Sequence, residues 1–308
     1  MNQALVNLGR RLRQAGYHFT TTTPATHQRV LARRRSDAAP GGPRLAHDLR
    51  DVFGWSLPFT ASLLGDELLS LLEQTGELLR VGANYRSGLR FSSLGELLLA
   101  HSAYPTTAAD SIFFGPDTYR FCALLERFAI AADVVADIGC GSGAGGLWLA
   151  HLQPRRELIL TDINTRALEV AQANAAIAGI EVRTVQSDLF AALPELPELC
   201  VANPPYMRDA QRRAYRDGGG QHGEGLSLRI VREWLMRARP GQSLVLYTGS
   251  AIVAGVDAIP AQVSALASQQ SARLVYLEID PDVFGEELSL EGYADVERIA
   301  AVGMCLTR

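Results

Sequence analysis

From about residue 131 to the C-terminus, short apolar segments alternate with amphipathic ones. This alternation predicts a parallel α/β sheet, because each buried strand is followed by a helix that carries the chain back to the same edge. Strands are expected at residues 134–138, 157–162, 181–186, 199–203, 242–248, 272–279 and 297–307, with helices at 145–151, 165–178, 226–238 and 258–268. The last two strands are close enough to be joined without a crossover helix. The prediction is therefore a seven-stranded, doubly wound sheet whose last strand is reversed.

Residues 1–108 have a different pattern and are expected to form a small, mostly helical accessory domain, with the sheet domain at 109–308. Apolar periodicity predicts helices at 3–15 and 66–79, and the Pro/Gly-rich residues 37–43 separate them. A short strand, a Gly-Ala-Asn turn, a second strand up to Phe91 and a further helix from Leu94 are expected next. This order outlines a winged helix, although any small cap of helices and strands could produce it.

The charge distribution gives a second, weaker signal. The 308 residues are 47% hydrophobic and 20% charged with a net charge of −4, which excludes a disordered chain and a highly charged nucleic-acid scaffold. All basic residues are Arg, and the first 50 residues carry nine of them against two Asp. Such a segment favours contact with nucleic acid or imitates a transit peptide. In a chain without Lys, however, Arg is also the only basic residue that can keep the surface soluble.

The four cysteines are widely spaced and include no C-x-x-C pair, so neither a disulfide framework nor a zinc site is indicated. No run reaches the 18 to 20 apolar residues of a membrane span, and the pattern of a secretory signal is missing. We therefore expect a chain in a reducing, cytoplasmic setting, with no metal.

A glycine-rich loop follows the first strand of the predicted sheet and precedes a helix. It reads Asp137-Ile-Gly139-Cys-Gly141-Ser-Gly143, and Asp162 ends the next strand. Glycines let the backbone turn sharply and approach a ligand, while a helix start presents free N–H groups. The glycines at 141, 143 and 146 also satisfy the dinucleotide fingerprint G-x-G-x-x-G. The loop alone therefore leaves an NAD-dependent oxidoreductase open.

Two further motifs stand at the carboxyl ends of predicted strands, where open α/β sheets bind ligands. Ser187-Asp188-Leu189-Phe190 follows the third strand and Asn203-Pro204-Pro205-Tyr206 follows the fourth. With these motifs in order, residues 131–308 resemble the class I S-adenosylmethionine-dependent methyltransferases. The resemblance is to the branch whose fourth motif is (D/N)-P-P-(Y/F), and it implies a Rossmann-like fold.

The resemblance also implies S-adenosylmethionine as the cofactor. Glycines of the loop would wrap its methionine part, Asp162 would accept hydrogen bonds from the ribose, and Asp188 would bind the adenine amino group. Taken singly, Asp188 could instead cap a helix and Ile163 could be core. The complete implied set is Asp137, Gly139, Gly141, Gly143, Asp162, Ile163, Asp188, Leu189 and Asn203.

The segment Asn203-Pro204-Pro205-Tyr206 indicates that the methylated atom is a planar nitrogen. Such a nitrogen is a poor nucleophile because its lone pair is delocalised. The Asn203 side-chain oxygen and the Pro204 carbonyl can accept its two N–H bonds, the prolines hold these acceptors, and Tyr206 can stack on the planar group. Alignment can contribute roughly 7 to 11 kcal/mol against about 1 kcal/mol for one hydrogen bond. No catalytic His is therefore expected, and His101, His151 and His222 are interpreted as surface or packing residues.

For the substrate, the resemblance extends to HemK-type glutamine methyltransferases of release factors and to the "methyltransferase small" group, which includes rRNA guanine enzymes. Residues 114–118 resemble the element R-P-D-T-E, with Gly115 and Tyr119 in place of its Arg and Glu. Residues 217–226 resemble G-G-x-D-G-L, but they are two residues longer and have Glu224 in place of Asp. We expect a macromolecular substrate, with glutamine of a release-factor-like protein ahead of an adenine N6 or guanine N2 of rRNA or DNA.

A cluster of arginines directly after this segment bears on the same choice. Arg suits phosphate because it bonds two oxygens at once, so a nucleic-acid backbone could run along Arg208, Arg212, Arg213 and Arg216. A second basic cluster is Arg33-Arg34-Arg35. A nucleic-acid-binding regulator that has lost activity is a further class, but the intact motif residues Asp137, Asp162, Asp188 and Asn203 argue against it.

Overall fold

The computed structural model describes residues 2–33, 44–154 and 156–308. The break at 37–43 and two arginines of the second basic cluster, Arg34 and Arg35, lie outside these residues. The helices are α1 Gln3–Gln14, α2 Pro24–Arg33, α3 Leu49–Phe53, α4 Ala61–Gln74, α5 Pro116–Phe128, α6 Ala144–Leu152, α7 Thr165–Ala178, α8 Gly225–Arg237 and α9 Ile259–Gln269. The strands are β1 Leu78–Val81, β2 Asn84–Ser87, β3 Leu89–Leu94, β4 Leu97–Ser102, β5 Val134–Ile138, β6 Glu157–Asp162, β7 Arg183–Gln186, β8 Leu199–Ala202, β9 Ser243–Val253, β10 Val256–Asp257, β11 Arg273–Asp280 and β12 Arg298–Thr307.

The large sheet has the order β11-β12-β9-β8-β5-β6-β7, and the short β10 pairs with the end of β9. Strands β9, β8, β5, β6 and β7 run parallel. Strand β12 is antiparallel to both of its neighbours, β9 and β11. The doubly wound sheet with a reversed last strand is therefore confirmed, and the four helices expected between its strands are α6, α7, α8 and α9.

Helices cover both faces of this sheet. Successive strand residues alternate between two cores: Val135 packs with α5 and α6, whereas Ala136 packs with α8 and α9. Because both faces are buried, the strands are continuous apolar runs, which is why the sequence revealed them so clearly. Helix α5 was not expected. Its start carries Pro116 in the first turn after Gly115, where a missing N–H costs nothing.

The N-terminal region holds helices α1 to α4 and two hairpins. The hairpin of β1 and β2 is confirmed, but its second strand, expected up to Phe91, ends at Ser87, and Phe91 belongs to β3. The helix expected at 66–79 is α4, which begins earlier and ends at Gln74. The helix expected from Leu94 is wrong, because residues 97–102 form strand β4, paired with β3 across a turn in which Gly95 has φ +54°. Leu97 and Leu99 face one core, and Leu98 and Ala100 face the other. A strand buried on both faces is an unbroken apolar run, which periodicity cannot distinguish from a buried helix.

Helix α7 joins the N-terminal region to the sheet. Its residues Ala167, Val170, Ala173 and Ile177 belong to the core of the N-terminal region. Arg13 of α1 donates to the Ile177 carbonyl at 2.7 Å. The N-terminal region therefore packs on the helix that follows β6 of the large sheet. Among the described residues, no helix is long and apolar enough to cross a membrane.

Candidate functional site

One cavity of about 620 Å³ lies at the carboxyl ends of β5, β6 and β8, a volume typical of small-molecule sites. Residues 109–113, which precede α5, close one side of it. The residues of the sequence motifs that line it are Asp137, Gly139, Gly141, Asp162, Ile163, Asp188, Leu189, Asn203, Pro204, Pro205 and Tyr206. Gly143 does not line the cavity. The structure therefore brings together four groups of motif residues that lie between positions 137 and 206 of the chain.

The glycine loop needs its glycines for two different reasons. Gly139 has φ +67° and Gly141 has φ +54°, and a Cβ on either would meet open space. These two let the backbone turn sharply beside the cavity. Gly143 has φ +78°, and a Cβ there would lie 3.2 Å from the Ala171 methyl group. The missing Cβ at Gly143 therefore lets α6 and α7 approach each other.

Two carboxyl groups sit directly under the loop. Asp137 is only 2% exposed and accepts the Gly146 N–H at 2.8 Å. Burial raises the pKa of Asp137 to about 7, and the charge of nearby Asp162 adds to the shift. Asp162 accepts the N–H groups of Gly141 and Asn164, both at 2.9 Å. Burial raises the pKa of Asp162 as well, although these two hydrogen bonds lower it. Two acidic groups with little else to neutralise them favour a ligand that brings a cation and hydroxyl donors.

The next part of the wall is apolar and exposed. Ile163 is 60% exposed, so it is not a core residue. Leu189 has φ +48°, which is strained for a non-glycine residue. Asp188 does not cap a helix, because turn residues 189–192 follow it, and both of its oxygens are bonded by Arg229 of α8, at 3.1 and 2.8 Å. An exposed apolar side chain beside a polar one is suited to a flat, partly polar ring.

Asn203 follows β8 and is half-buried, and among the described residues its side chain makes no hydrogen bond. Two glycines of a later segment lie against the backbone that follows Asn203. Gly218 leaves no room for a Cβ against the Pro205 carbonyl, and Gly223 leaves none against the Tyr206 carbonyl. Met207 accepts the Gly218 N–H at 2.8 Å. The segment at 217–226 therefore packs directly on the backbone of the Asn203-Pro204-Pro205-Tyr206 loop.

Tyr206 is 8% exposed and rests on Gly249 of β9, where a Cβ would collide with its ring. Tyr247 and Phe284 flank the ring edge-on, with centroids 6.2 and 5.9 Å away. Phe284 lines the cavity with φ +54° and was missed by the sequence analysis, as was Tyr247. Neither stands in a local motif, so the sequence offered no signal for them.

The four arginines after Tyr206 have different surroundings. Arg213 bonds both oxygens of Asp209 at 2.8 and 2.7 Å, and these bonds lower the pKa of Asp209 to about 2. Arg216 pairs with Glu287 at 2.5 Å. Arg208 donates to the Gln221 carbonyl at 3.3 Å, and Arg212 is exposed. Two of the four charges are therefore already neutralised. Residues 280–297, which include Phe284 and Glu287, carry seven acidic residues and no basic one.

The histidines do not line the cavity. His101 is buried between the Ser92 hydroxyl at 2.7 Å and the Ser102 carbonyl at 3.0 Å, and burial holds its pKa well below its usual value. His151 stacks on Trp148, and His222 pairs with Asp295 at 3.0 Å. Within the described ranges, no group of three or more His, Cys, Asp or Glu is placed to hold a metal ion.

Residues 122–216 match the family model of the methyltransferase small domain. The resemblance to S-adenosylmethionine-dependent methyltransferases is confirmed. The match begins in α5 and extends past the Asn203-Pro204-Pro205-Tyr206 loop, so it includes every cavity residue that the sequence motifs supplied. It selects the methyltransferase interpretation of the glycine loop over the NAD-dependent oxidoreductase.

The chain is similar to curated methyltransferases of two kinds. It is 34% identical over 169 residues to a release factor glutamine methyltransferase of Deinococcus radiodurans, which covers 54% of this chain and 59% of the relative. It is 35% identical over 115 residues to a ribosomal RNA small subunit methyltransferase C of Hamiltonella defensa, covering 35% of this chain and 34% of the relative. The chain thus spans less than two thirds of the length of either relative.

A solved structure supports the fold. The crystal structure of Trm5b from Pyrococcus abyssi superposes with a TM-score of 0.51 and 11% identity, over 94% of this chain and 78% of that one. At this identity the similarity shows the fold alone, and it confirms the Rossmann-like α/β arrangement.

Proposed function

We propose that this chain is an S-adenosylmethionine-dependent N-methyltransferase that acts on a planar amide or base nitrogen. One observation carries the proposal. The glycine loop with its two carboxyl groups and the Asn203-Pro204-Pro205-Tyr206 loop open into the same cavity. This shared cavity supports the proposal, because a cationic nucleoside bound at the glycine loop would lie beside a pair of hydrogen-bond acceptors.

The residues present suit the cofactor. Asp137 and Asp162 offer acidic oxygens for its amino group and ribose hydroxyls, and Ile163 offers an exposed apolar surface for adenine. Asp188 would bind the adenine amino group while it stays paired with Arg229, because a carboxylate has about four acceptor positions. When bound, the cofactor supplies a methyl group on a sulfonium that is already an activated leaving group.

The protein's own contribution is alignment. The Asn203 side-chain oxygen and the Pro204 carbonyl would accept the two N–H bonds of the substrate and turn its nitrogen lone pair toward the cofactor. The two prolines fix the backbone that carries these acceptors. Tyr206 would lie against the planar group, and Pro205 would keep the ring in place. Such alignment contributes roughly 7 to 11 kcal/mol without acid-base catalysis.

As substrate we favour the glutamine of a release-factor-like protein. The segment 280–297, which carries seven acidic residues, contacts Tyr206 through Phe284, and Arg213 and Arg216 are paired with acidic side chains. These acidic side chains would repel a phosphate backbone, because the binding of such a backbone depends on unpaired basic side chains. A base of RNA or DNA is the second candidate, favoured by the exposed Arg212 and by the similarity to an rRNA methyltransferase. The N-terminal residues 1–108 are proposed to help recognise the substrate.

Methyl labelling of a cell extract tests this proposal. The protein and S-adenosylmethionine with a tritiated methyl group are added to the extract, and portions are treated with protease or nuclease. We expect label that protease releases and nuclease does not. Release by nuclease instead would assign the base. If no label is incorporated and calorimetry detects binding of NAD but not of S-adenosylmethionine, the proposed function is wrong.

A further inference from the structure

A buried carboxyl group lies in the cavity wall behind Tyr206. Asp117, near the start of α5, is 2% exposed and lines the cavity. It accepts the Tyr247 hydroxyl at 2.7 Å and an Arg120 N–H at 3.3 Å. Arg120 also bonds Asp280 at 2.8 Å, at the end of β11. Burial raises the pKa of Asp117, whereas the bonds from Tyr247 and Arg120 lower it. A buried carboxyl group is kept only where donors compensate for its lost hydration.

Asp117 also lies close to the Tyr206 hydroxyl. The Tyr206 hydroxyl is fully buried and, among the described residues, has no hydrogen-bond partner at normal distance. Burial raises the pKa of Tyr206 well above its ordinary value, and nearby Asp117 and Tyr247 add to the shift. The Tyr206 ring is confined between Tyr247 and Phe284. The position of the ring therefore depends on Tyr247, whose hydroxyl is fixed by Asp117.

We propose that Asp117 and Tyr247 are positioning residues for the Tyr206 ring, and through it for the planar substrate group. The inference rests on the proposed function, because the ring needs an exact position only if it holds a reacting group. A hydrogen bond between two distant elements, α5 and β9, then sets the geometry of the loop after β8. A misplacement of about 1 Å far from the reacting atoms can reduce a rate by roughly 100-fold.

The chain offers a matched control on the same sheet. Tyr276 of β11 donates its hydroxyl to Asp257 at 2.6 Å, and neither residue lines the cavity. The experiment compares Tyr247→Phe and Asp117→Asn with Tyr276→Phe. Three quantities are measured: kcat and KM for methyl transfer to the labelled substrate, the Kd of S-adenosylmethionine, and hydrogen–deuterium exchange in peptides covering residues 203–218. The Gly218 N–H reports on this loop directly, because it bonds the Met207 carbonyl.

For Tyr247→Phe and Asp117→Asn we expect kcat to fall roughly 10- to 100-fold, cofactor Kd to stay within about twofold, and exchange at 203–218 to accelerate. Tyr276→Phe is expected to change none of these. If Tyr247→Phe keeps the kcat and exchange of Tyr276→Phe, the positioning role is wrong. If the unmodified protein transfers no methyl group but Tyr247→Phe still accelerates exchange at 203–218, the positioning of the loop stands and the proposed function fails.

Discussion

The two halves of the cavity are built in different ways. In the glycine-loop half, carboxyl groups accept backbone N–H groups at most 21 positions away: Asp137 bonds Gly146, and Asp162 bonds Gly141 and Asn164. In the half around Tyr206, side chains hold one another across long separations. Asp117 and Tyr247, 130 positions apart, form the bond behind the ring.

This difference shows what each half can tolerate. The positions of the glycine-loop half follow from strand–turn–helix geometry, since the loop has to carry β5 into α6. The half around Tyr206 needs α5, β8 and β9 to be assembled before its geometry exists. We expect substitutions in the first half to change cofactor affinity and substitutions in the second half to change the rate of transfer.

The largest effect is expected for Asn203→Ala. It removes one of the two proposed acceptors and leaves the glycine loop unchanged, so kcat should fall by about 100-fold or more while the cofactor Kd changes only a few-fold. Single-turnover labelling and calorimetry measure the two quantities. Gln262→Ala, on the exposed face of α9, is the control. Unchanged turnover of Asn203→Ala would mean that methyl transfer does not use this amide.

The second prediction concerns an exception to this difference between the two halves, because one side chain distant in sequence supports the glycine loop. Asn174 of α7 is fully buried, and its amide bonds the Ala100 N–H and carbonyl and the Ser142 carbonyl, at 2.7, 2.9 and 2.9 Å. It therefore connects β4, α7 and the loop. Asn174→Ala leaves these backbone groups unpaired, and we expect the free energy of unfolding to fall by about 2–4 kcal/mol.

Urea denaturation measures this change. Gln74→Ala is a suitable control, because the Gln74 amide bonds Ser70 at 3.0 Å on an exposed helix surface; its effect is expected to stay below about 0.5 kcal/mol. Equal effects of the two substitutions would show that Asn174 does not hold the three segments together.

The same contrast explains how much the sequence predicted. Local signals predicted the strands of the large sheet and the residues of the glycine loop. These signals are apolar runs, glycines and an acid at a strand end. Tyr247 has none, because its role comes from a contact with Asp117. Strand β4 was mistaken for a helix since both of its faces are buried, and only the structure shows that Leu98 and Leu99 enter different cores.

The arginines show the opposite case, a local signal whose surroundings only the structure reveals. The cluster after Tyr206 has the spacing of a phosphate-binding surface, but Asp209 and Glu287 neutralise two of its members. Asp209 lies in the same stretch, four positions before Arg213, and could have been weighed against it as an opposite charge. Glu287 lies 71 positions after Arg216, and no sequence pattern connects them.

The third prediction concerns the ribose side of the glycine-loop half. Asp162→Asn replaces one accepting oxygen by an NH₂ group that cannot accept the backbone N–H. We expect cofactor affinity to fall by about 30-fold, equivalent to about 2 kcal/mol. Asp257→Asn is the control, because Asp257 also accepts a backbone N–H, from Ile259 at 3.0 Å, but lies outside the cavity. Equal cofactor affinity in both variants would remove Asp162 from the cofactor site.

The smallest effect is a pH dependence caused by Asp137, whose pKa burial raises to about 7. Since the pKa in the folded protein is above its ordinary value, the ligand-free protein loses stability as pH rises from about 4 through about 7. The amino group of the cofactor is a cation and prefers the ionised carboxylate. Cofactor affinity should therefore increase with pH, by up to about tenfold between pH 6 and pH 8.

Calorimetry with S-adenosylmethionine across this pH range tests the dependence, and Asp137→Asn is the decisive variant. Asn cannot titrate, so its affinity should be lower at pH 8 and its profile flatter, with any remaining slope due to Asp162, whose pKa is also raised. The Gly146 N–H keeps an acceptor in the Asn side-chain oxygen, so the loop should retain its backbone geometry. An unchanged slope in Asp137→Asn would assign the titration to Asp162 and leave Asp137 as a support for α6 alone.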